Sequence, residues 1–147
     1  MGYIKNCLLI VILGLGVFLM LDSCDKKQED NSCGYVPVDI TLYLNDPSNV
    51  KLNVVGGFIY LNGGVRGIVV YRRGPEEYVA LERNCTYDCN NACSTIRMEA
   101  SGSTLIDTCC GSRFQAYDGS VAKPPATRNL RLYTVTKGSN SLRITSN

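Results

Sequence analysis

The chain has 147 residues, enough for one domain, and its 45% of hydrophobic and 19% of charged residues are typical of a globular protein rather than a disordered or multi-span membrane protein. A formal net charge of +2 is too small to attract polyanions through bulk electrostatics, so nucleic acid is not an expected partner. The complete absence of histidine excludes every mechanism that needs an imidazole base or metal ligand, and the eight cysteines indicate disulfides or a metal centre.

Residues 1–23 are typical of a bacterial lipoprotein signal peptide. Lys5 supplies a positive start, and residues 7–21 form an uninterrupted run of apolar residues and glycine that is too short for a comfortable membrane span. Residues 21–24, LDSC, resemble a lipobox, in which the cysteine is diacylated and becomes the mature N-terminus. The sequence therefore predicts an outer-membrane lipoprotein of the bacterial cell envelope, anchored through Cys24 and facing the periplasm or the cell surface. An uncleaved single-span anchor is the alternative.

The mature chain is predicted to comprise a tether and one domain. Residues 24–34 contain the lipid-bearing cysteine and a polar stretch without hydrophobic period, which indicates a solvated tether, and residues 35–147 form the domain. Removing Cys7 with the signal and assigning Cys24 to lipid leaves an even number of cysteines, which is what disulfide pairing in an oxidising compartment predicts. These are Cys33, Cys85, Cys89, Cys93, Cys109 and Cys110.

The domain reads as a succession of short strands and turns. Apolar residues alternate from Val36 to Leu44, and Asn62-Gly63 between two apolar runs predicts a hairpin. Further strand-like segments lie at residues 58–61, 66–71, 78–82, 96–100, 104–107 and 114–117. Residues 133–147 either complete the sheet or form a loose tail. The pattern predicts an all-β sandwich or small barrel.

Only composition suggests a binding partner. The chain has nine tyrosines, and a tyrosine-rich surface could bind protein or glycan, although strand tyrosines are more often half-buried packing residues. The arginines form no compact motif and are expected to coat exposed faces; they include Arg66, Arg72, Arg73, Arg113, Arg128, Arg131 and Arg143.

Two loops contain five of the six mature cysteines: residues 85–93, CTYDCNNAC, and residues 107–114, DTCCGSRF. Together with residues 118–120, DGS, residues 125–127, PAT, and residues 130–133, LRLY, they resemble the Rieske iron-sulfur domain family in order and spacing. The resemblance covers most of the mature domain. It implies a Rieske-like antiparallel β-sandwich or small barrel with a cysteine-rich two-loop tip, and it implies electron transfer through a [2Fe-2S] cluster as the family role.

Carried over residue by residue, the family's ligand positions fall on Cys85, Tyr87, Asp107 and Cys110, so only one of the four keeps its residue type. A Rieske cluster needs two thiolates and two imidazoles, and a phenol and a carboxylate cannot replace that donor set. We therefore expect no standard cluster, no cofactor and no catalytic residue, and we expect a disulfide-stabilised binding or assembly module. The alternative is an electron-transfer protein, a partner of an oxidoreductase, with a [2Fe-2S] or other metal centre of non-standard cysteine-rich ligation.

The resemblance also implies a disulfide between the two loops, because Cys89 and Cys109 lie near the positions that one Rieske subgroup bridges. The adjacent Cys109 and Cys110 are expected to reach different partners, since a ring closed between neighbours is strained. The first loop would supply both partners, and Cys33 would bond to the cysteine that remains there. Zinc or an iron-sulfur cluster held wholly by loop cysteines is the alternative, and the three-residue spacings in residues 85–93 weigh against it.

Overall fold

The computed structural model describes residues 33–147. The predicted signal peptide, the predicted lipid-bearing Cys24 and most of the predicted tether lie outside the described residues. Within them, the strands are β1 (Asp39–Tyr43), β2 (Phe58–Leu61), β3 (Ile68–Arg72), β4 (Tyr78–Glu82), β5 (Ile96–Met98), β6 (Thr104–Asp107), β7 (Arg113–Gln115), β8 (Val121–Lys123), β9 (Leu132–Lys137) and β10 (Ser141–Thr145), and a 3-10 helix spans Pro47–Asn53. In this part of the chain, no helix is long and apolar enough to span a membrane.

The strands form two antiparallel sheets. One sheet has six strands in the order β1-β10-β9-β4-β3-β2, and the other has four in the order β5-β6-β7-β8. Each pair of neighbouring strands in both sheets is antiparallel. The prediction of an all-β antiparallel fold is confirmed.

Strands β3 and β4 are buried on both faces. Ile68 and Val70 belong to a core that also contains Leu142 and Ile144 of β10, whereas Val69 between them belongs to a second core. The second core includes Ile96, Leu105 and Phe114 of the four-stranded sheet. Because both faces are covered, β3 reads as a continuous apolar run instead of an alternating one.

The C-terminal segment completes the six-stranded sheet. β10 lies between β1 and β9, with Ile40 opposite Ile144 in the first pair. Leu142 and Ile144 are fully buried, and the amide of Gly138 donates to the carbonyl of Ser141 in the preceding turn. Of the two alternatives for residues 133–147, the structure therefore has the closing strands.

The predicted hairpin at Asn62-Gly63 joins β2 to β3. It is longer than a two-residue turn, and Arg66, predicted to begin a strand, lies in its loop because β3 starts at Ile68. Gly64 has a φ of +63°, and an added Cβ there would collide with the Glu82 carboxylate and the Tyr133 hydroxyl. The turn glycine therefore lets the loop approach a buried carboxylate.

Candidate functional site

The two cysteine loops follow β4 and β6. The first loop is closed at its base, where the amide of Cys85 donates to the carbonyl of Ser94 at 3.4 Å and the amide of Ile96 donates to the carbonyl of Arg83 at 2.8 Å. The second loop turns at Gly111, whose amide donates to the carbonyl of Asp107 at 2.8 Å. These backbone bonds fix both loops at one end of the two sheets.

Disulfides fasten both loops. Cys33 is bonded to Cys89 of the first loop, and Cys93 of the first loop is bonded to Cys109 of the second. The pairing of Cys89 with Cys109, which the resemblance implied, is not the one the structure has. A bridge between the loops exists, but Cys93 provides it.

Local contacts explain this difference. The hydroxyl of Ser94 donates to Asp107 Oδ2 at 3.0 Å, which brings the neighbouring Cys93 alongside Cys109. The side-chain amide of Asn84 donates to the carbonyl of Cys33 at 3.0 Å, so the N-terminal end of the domain lies against the start of the first loop. In this arrangement Cys33 is bonded to Cys89 of the first loop.

Three of the four positions equivalent to Rieske ligands come together. Cys85, Asp107 and Cys110 each place a sulfur or oxygen atom within 4.8 Å of the others. The Sγ atoms of Cys85 and Cys110 lie 3.8 Å apart, and neither residue is in a disulfide. Tyr87, at the fourth position, is 56% exposed.

Asp107 is the polar centre of this group. It is fully buried, its Oδ1 accepts from the amide of Cys109 at 2.8 Å, and its Oδ2 accepts from the thiol of Cys110 at 3.4 Å. Burial alone would raise the pKa of Asp107, but hydrogen bonds from Cys85, the Cys109 amide, Ser94 and Cys110 hold that pKa below its usual value. The group therefore contains a carboxylate at neutral pH.

The two thiols have different surroundings. Cys85 has no exposed surface, and burial raises the pKa of its thiol to about 12. Cys110 is partly exposed, and its Sγ lies 3.0 Å from the hydroxyl of Ser112, which accepts from the amide of Ala126 at 2.9 Å. Of the two residues, only Cys110 therefore has surface exposed to solvent.

The donors do not fit a Rieske cluster. Disulfides occupy four of the six cysteines in the described residues, which leaves two thiols there for a metal. The remaining donor of the group is a carboxylate, and the chain has no imidazole. Neither the two-thiolate, two-imidazole set nor the all-cysteine set of other iron-sulfur clusters can be assembled from these residues.

Arg66 also supports the site, although it was expected only to coat a surface. Its Nε donates to Asn84 Oδ1 at 3.0 Å, and its two terminal nitrogens donate to the carbonyls of Ala92 at 3.0 Å and Asn91 at 2.7 Å. It therefore braces the first loop from the β2–β3 hairpin. Its spacing in the sequence carries no signal for this role, because the contact joins two loops.

Glu82 positions that hairpin. Its carboxylate accepts from the amides of Val65 at 2.8 Å, Arg66 at 3.0 Å and Asn84 at 3.0 Å, and from the hydroxyl of Tyr133 at 2.7 Å. Burial and the neighbouring carboxylate raise the pKa of Tyr133. The sequence indicated this network only through Glu82 itself, a charged residue at the end of the buried strand β4.

Solved Rieske structures share this fold. The plasma membrane Rieske protein PetC3 of the cyanobacterium Synechocystis PCC 6803 is similar with a TM-score of 0.50 and 24% identity, over 59% of this chain and 84% of that chain. The ferredoxin of carbazole 1,9a-dioxygenase from Nocardioides aromaticivorans IC177 has a TM-score of 0.50 and 15% identity, over 76% of this chain and 98% of that chain. No protein-family model and no curated sequence matches the chain. The described residues thus adopt the Rieske-like β fold that the sequence resemblance implied.

Proposed function

We propose that the chain is a bacterial envelope lipoprotein whose Rieske-like domain has lost the [2Fe-2S] cluster and works as a disulfide-stabilised binding or assembly module. The observation that carries the proposal is the donor set at the tip. Of the four equivalent ligand positions, one is an exposed tyrosine and one is a carboxylate that already accepts hydrogen bonds from its own loop and from Ser94. Without an imidazole, such a site loses the ligation that defines the Rieske centre.

An exposed apolar segment supports binding of a partner. Val50, Val54 and Val55 are 58%, 63% and 58% exposed, although valine is usually buried. Contiguous exposed apolar surface is typical of a protein contact, so valine side chains favour a protein over a glycan as the partner.

This segment and the cysteine loops lie at opposite ends of the strands. Gly56 and Gly57 exchange backbone hydrogen bonds with Arg72, which is the last residue of β3. The first residue of β3, Ile68, is opposite Glu82, after which the chain enters the first loop. A partner bound at the valines would therefore not cover the loops.

The lipid anchor would join the domain on the side of the loops. The tether from Cys24 reaches the domain at Cys33, which is bonded to Cys89. A chain lipidated at Cys24 would therefore have its tether enter the domain beside the first loop.

The cluster proposal is tested by restoring the ligands. The native chain and a variant carrying Tyr87→His, Asp107→Cys and Cys110→His, which recreates the Rieske donor set with Cys85, are purified without air. We expect iron, sulfide and a visible absorption band in the restored variant only. Iron and sulfide in the native chain would contradict the proposal, and the restored variant shows whether the fold can still accept a cluster.

The binding proposal is tested by site-specific photo-crosslinking in the intact envelope. A photoreactive residue at Val54 is expected to give a discrete protein adduct, whereas one at exposed Lys123 of β8 is not. Equal labelling at both positions, or none at Val54, would argue against a binding surface there.

A second candidate, a single thiophilic metal ion, is favoured by one interatomic distance. Two thiolates on a tetrahedral zinc with bonds of about 2.3 Å would lie about 3.8 Å apart. The Sγ atoms of Cys85 and Cys110 lie 3.8 Å apart beside a carboxylate. Cobalt(II) titration of the reduced chain distinguishes this candidate, because thiolate-bound cobalt absorbs strongly in the near ultraviolet and loses that absorption in Cys110→Ser.

A further inference from the structure

We propose that Cys85 and Cys110 form a redox-active thiol pair that exchanges with disulfides of other molecules, with Cys110 as the attacking sulfur and Cys85 as the resolving sulfur. The inference goes beyond the binding function and does not rest on it. Its substrate class is a disulfide, in a protein or a small thiol compound, and the reverse reaction would oxidise thiols.

The distance between the two sulfurs allows a bond without rebuilding the loops. The Sγ atoms are 3.8 Å apart, and a disulfide needs about 2.05 Å, so side-chain rotation and a small backbone shift have to supply about 1.8 Å. The other four mature cysteines are already paired with one another. A Cys85–Cys110 bond would therefore form and break without exchanging the bonds that fasten the tip.

Exposure assigns the two roles. Cys85 is fully buried in the core that contains Ile96, Leu105 and Phe114, so a substrate disulfide cannot reach it. Cys110 packs at the edge of the same core and keeps part of its surface in solvent.

Asp107 favours the dithiol over the disulfide. Its carboxylate accepts a hydrogen bond from the thiol of Cys110 at 3.4 Å and lies within 4.8 Å of the Cys85 sulfur, and a disulfide has no S–H group to donate. Hydrogen bonds to a buried charge are among the stronger ones in proteins, so oxidation loses stabilisation that the reduced pair has. The pair is therefore expected to be more easily reduced than a structural disulfide.

The exchange is balanced in two steps. The Cys110 thiolate attacks one sulfur of the substrate disulfide, a mixed disulfide forms, and one substrate thiolate leaves. The Cys85 thiol loses its proton to solvent, and the Cys85 sulfur attacks Cys110, which releases the second substrate thiolate. Solvent protonates both released substrate thiolates. The substrate disulfide is reduced by two electrons, and the Cys85–Cys110 pair is oxidised to a disulfide.

Trapping with oxidised glutathione tests the assigned roles on the full chain in detergent. The protein is reduced until two thiols per chain appear, exposed to the probe, and measured by intact mass. The native chain should lose both thiols and retain no glutathione, Cys85→Ser should retain one glutathione on Cys110, and Cys110→Ser should retain none. Equal trapping in both variants, or a native pair that stays reduced, would overturn the inference, as would stoichiometric zinc that protects both thiols.

Two further measurements test the assigned roles without the serine variants, in case one of those variants fails to fold. In the reduced native chain, iodoacetamide should alkylate Cys110 well before Cys85, and the reverse order would contradict the roles. Asp107→Asn should shift the equilibrium with glutathione toward the Cys85–Cys110 disulfide by about tenfold, or about 30 mV, whereas Asp118→Asn on an exposed turn should not. No shift in Asp107→Asn would show that the carboxylate does not tune the pair.

Discussion

At the scale of single residues, Asp107 has the greatest influence on the tip. Its two oxygens bind the amide of Cys109 in its own loop and the hydroxyl of Ser94 beyond the other loop. The sequence resemblance places the same residue at a position equivalent to a Rieske ligand. Its carboxylate adds a polar link between the two loops beside the Cys93–Cys109 disulfide.

Acid should weaken this link. The pKa of Asp107 is lower in the folded chain than in the unfolded chain, so its contribution to stability is present above the unfolded pKa of about 3.9 and is lost as the pH falls through the folded value. Urea unfolding between pH 7 and pH 2.5 should show a larger acid loss in the native chain than in Asp107→Asn. Parallel pH profiles for the two proteins would contradict this account of the carboxylate.

Arg66 should govern the order of the first loop. Arg66→Met removes two hydrogen bonds to loop carbonyls and one to Asn84, so we expect faster amide hydrogen exchange over residues 88–94 and a loss of about 1–2 kcal/mol in unfolding free energy. The matched control is Arg143→Met, because Arg143 pairs with Asp39 on an exposed surface, where ion pairs contribute little. Equal effects of the two variants would refute the bracing role.

At the scale of elements, the two disulfides constrain different lengths of chain. Cys33–Cys89 spans 56 residues and Cys93–Cys109 spans 16, so loop-closure entropy gives about 4 kcal/mol for the first and about 3 kcal/mol for the second. The longer bridge holds the N-terminal entry to the domain, and the shorter one holds the two loops together. Both disulfides lie at the tip, in loops that are outside the hydrogen-bonded strands.

Paired serine variants test this ranking. Cys33→Ser with Cys89→Ser, and Cys93→Ser with Cys109→Ser, each remove one bridge without leaving an unpaired partner. Chemical unfolding should show the greater loss for the first pair of substitutions if chain entropy dominates. A greater loss for the second pair would mean that the link between the loops matters more than the length of chain it closes.

The strands were predictable where one face is buried and less so elsewhere. Alternation identified β1, and the buried run of residues 68–71 identified β3, but β8 is short and mostly exposed and carries no pattern. Whether the C-terminal segment joins the sheet could not be predicted, since β10 pairs with β1 from the other end of the domain. The spacing of the cysteines and the neighbouring motifs in the sequence was enough to predict where the two loops lie. The disulfide partner of Cys109 could not be predicted in this way, because it depends on the tertiary contact between Ser94 and Asp107.

At the scale of the whole molecule, the domain combines a Rieske-like β fold with a tip at which two disulfides pair four of the six cysteines in the described residues. Disulfide pairing was predicted for all six cysteines of the described residues, but the two disulfides pair four of them and leave Cys85 and Cys110 as neighbouring thiols. The valine-bearing end of the sheet and the loop end are separate surfaces. Anchoring, partner binding and thiol exchange can therefore be tested independently.

Lipidation is testable by metabolic labelling with a palmitate analogue. The native chain should incorporate the label and fractionate with membranes, and Cys24→Ser should do neither. Cys7→Ser is the matched control, because Cys7 would be removed with the signal and its loss should leave labelling unchanged. Labelling that persists in Cys24→Ser would contradict the predicted anchor.

The central claim is that this Rieske-like domain holds no iron-sulfur cluster. Its most direct test is the iron and acid-labile sulfide content of the native full chain, isolated from its own membranes without exposure to air. The account predicts background levels of both elements. About two irons and two sulfides per chain, the content of a [2Fe-2S] centre, would contradict it.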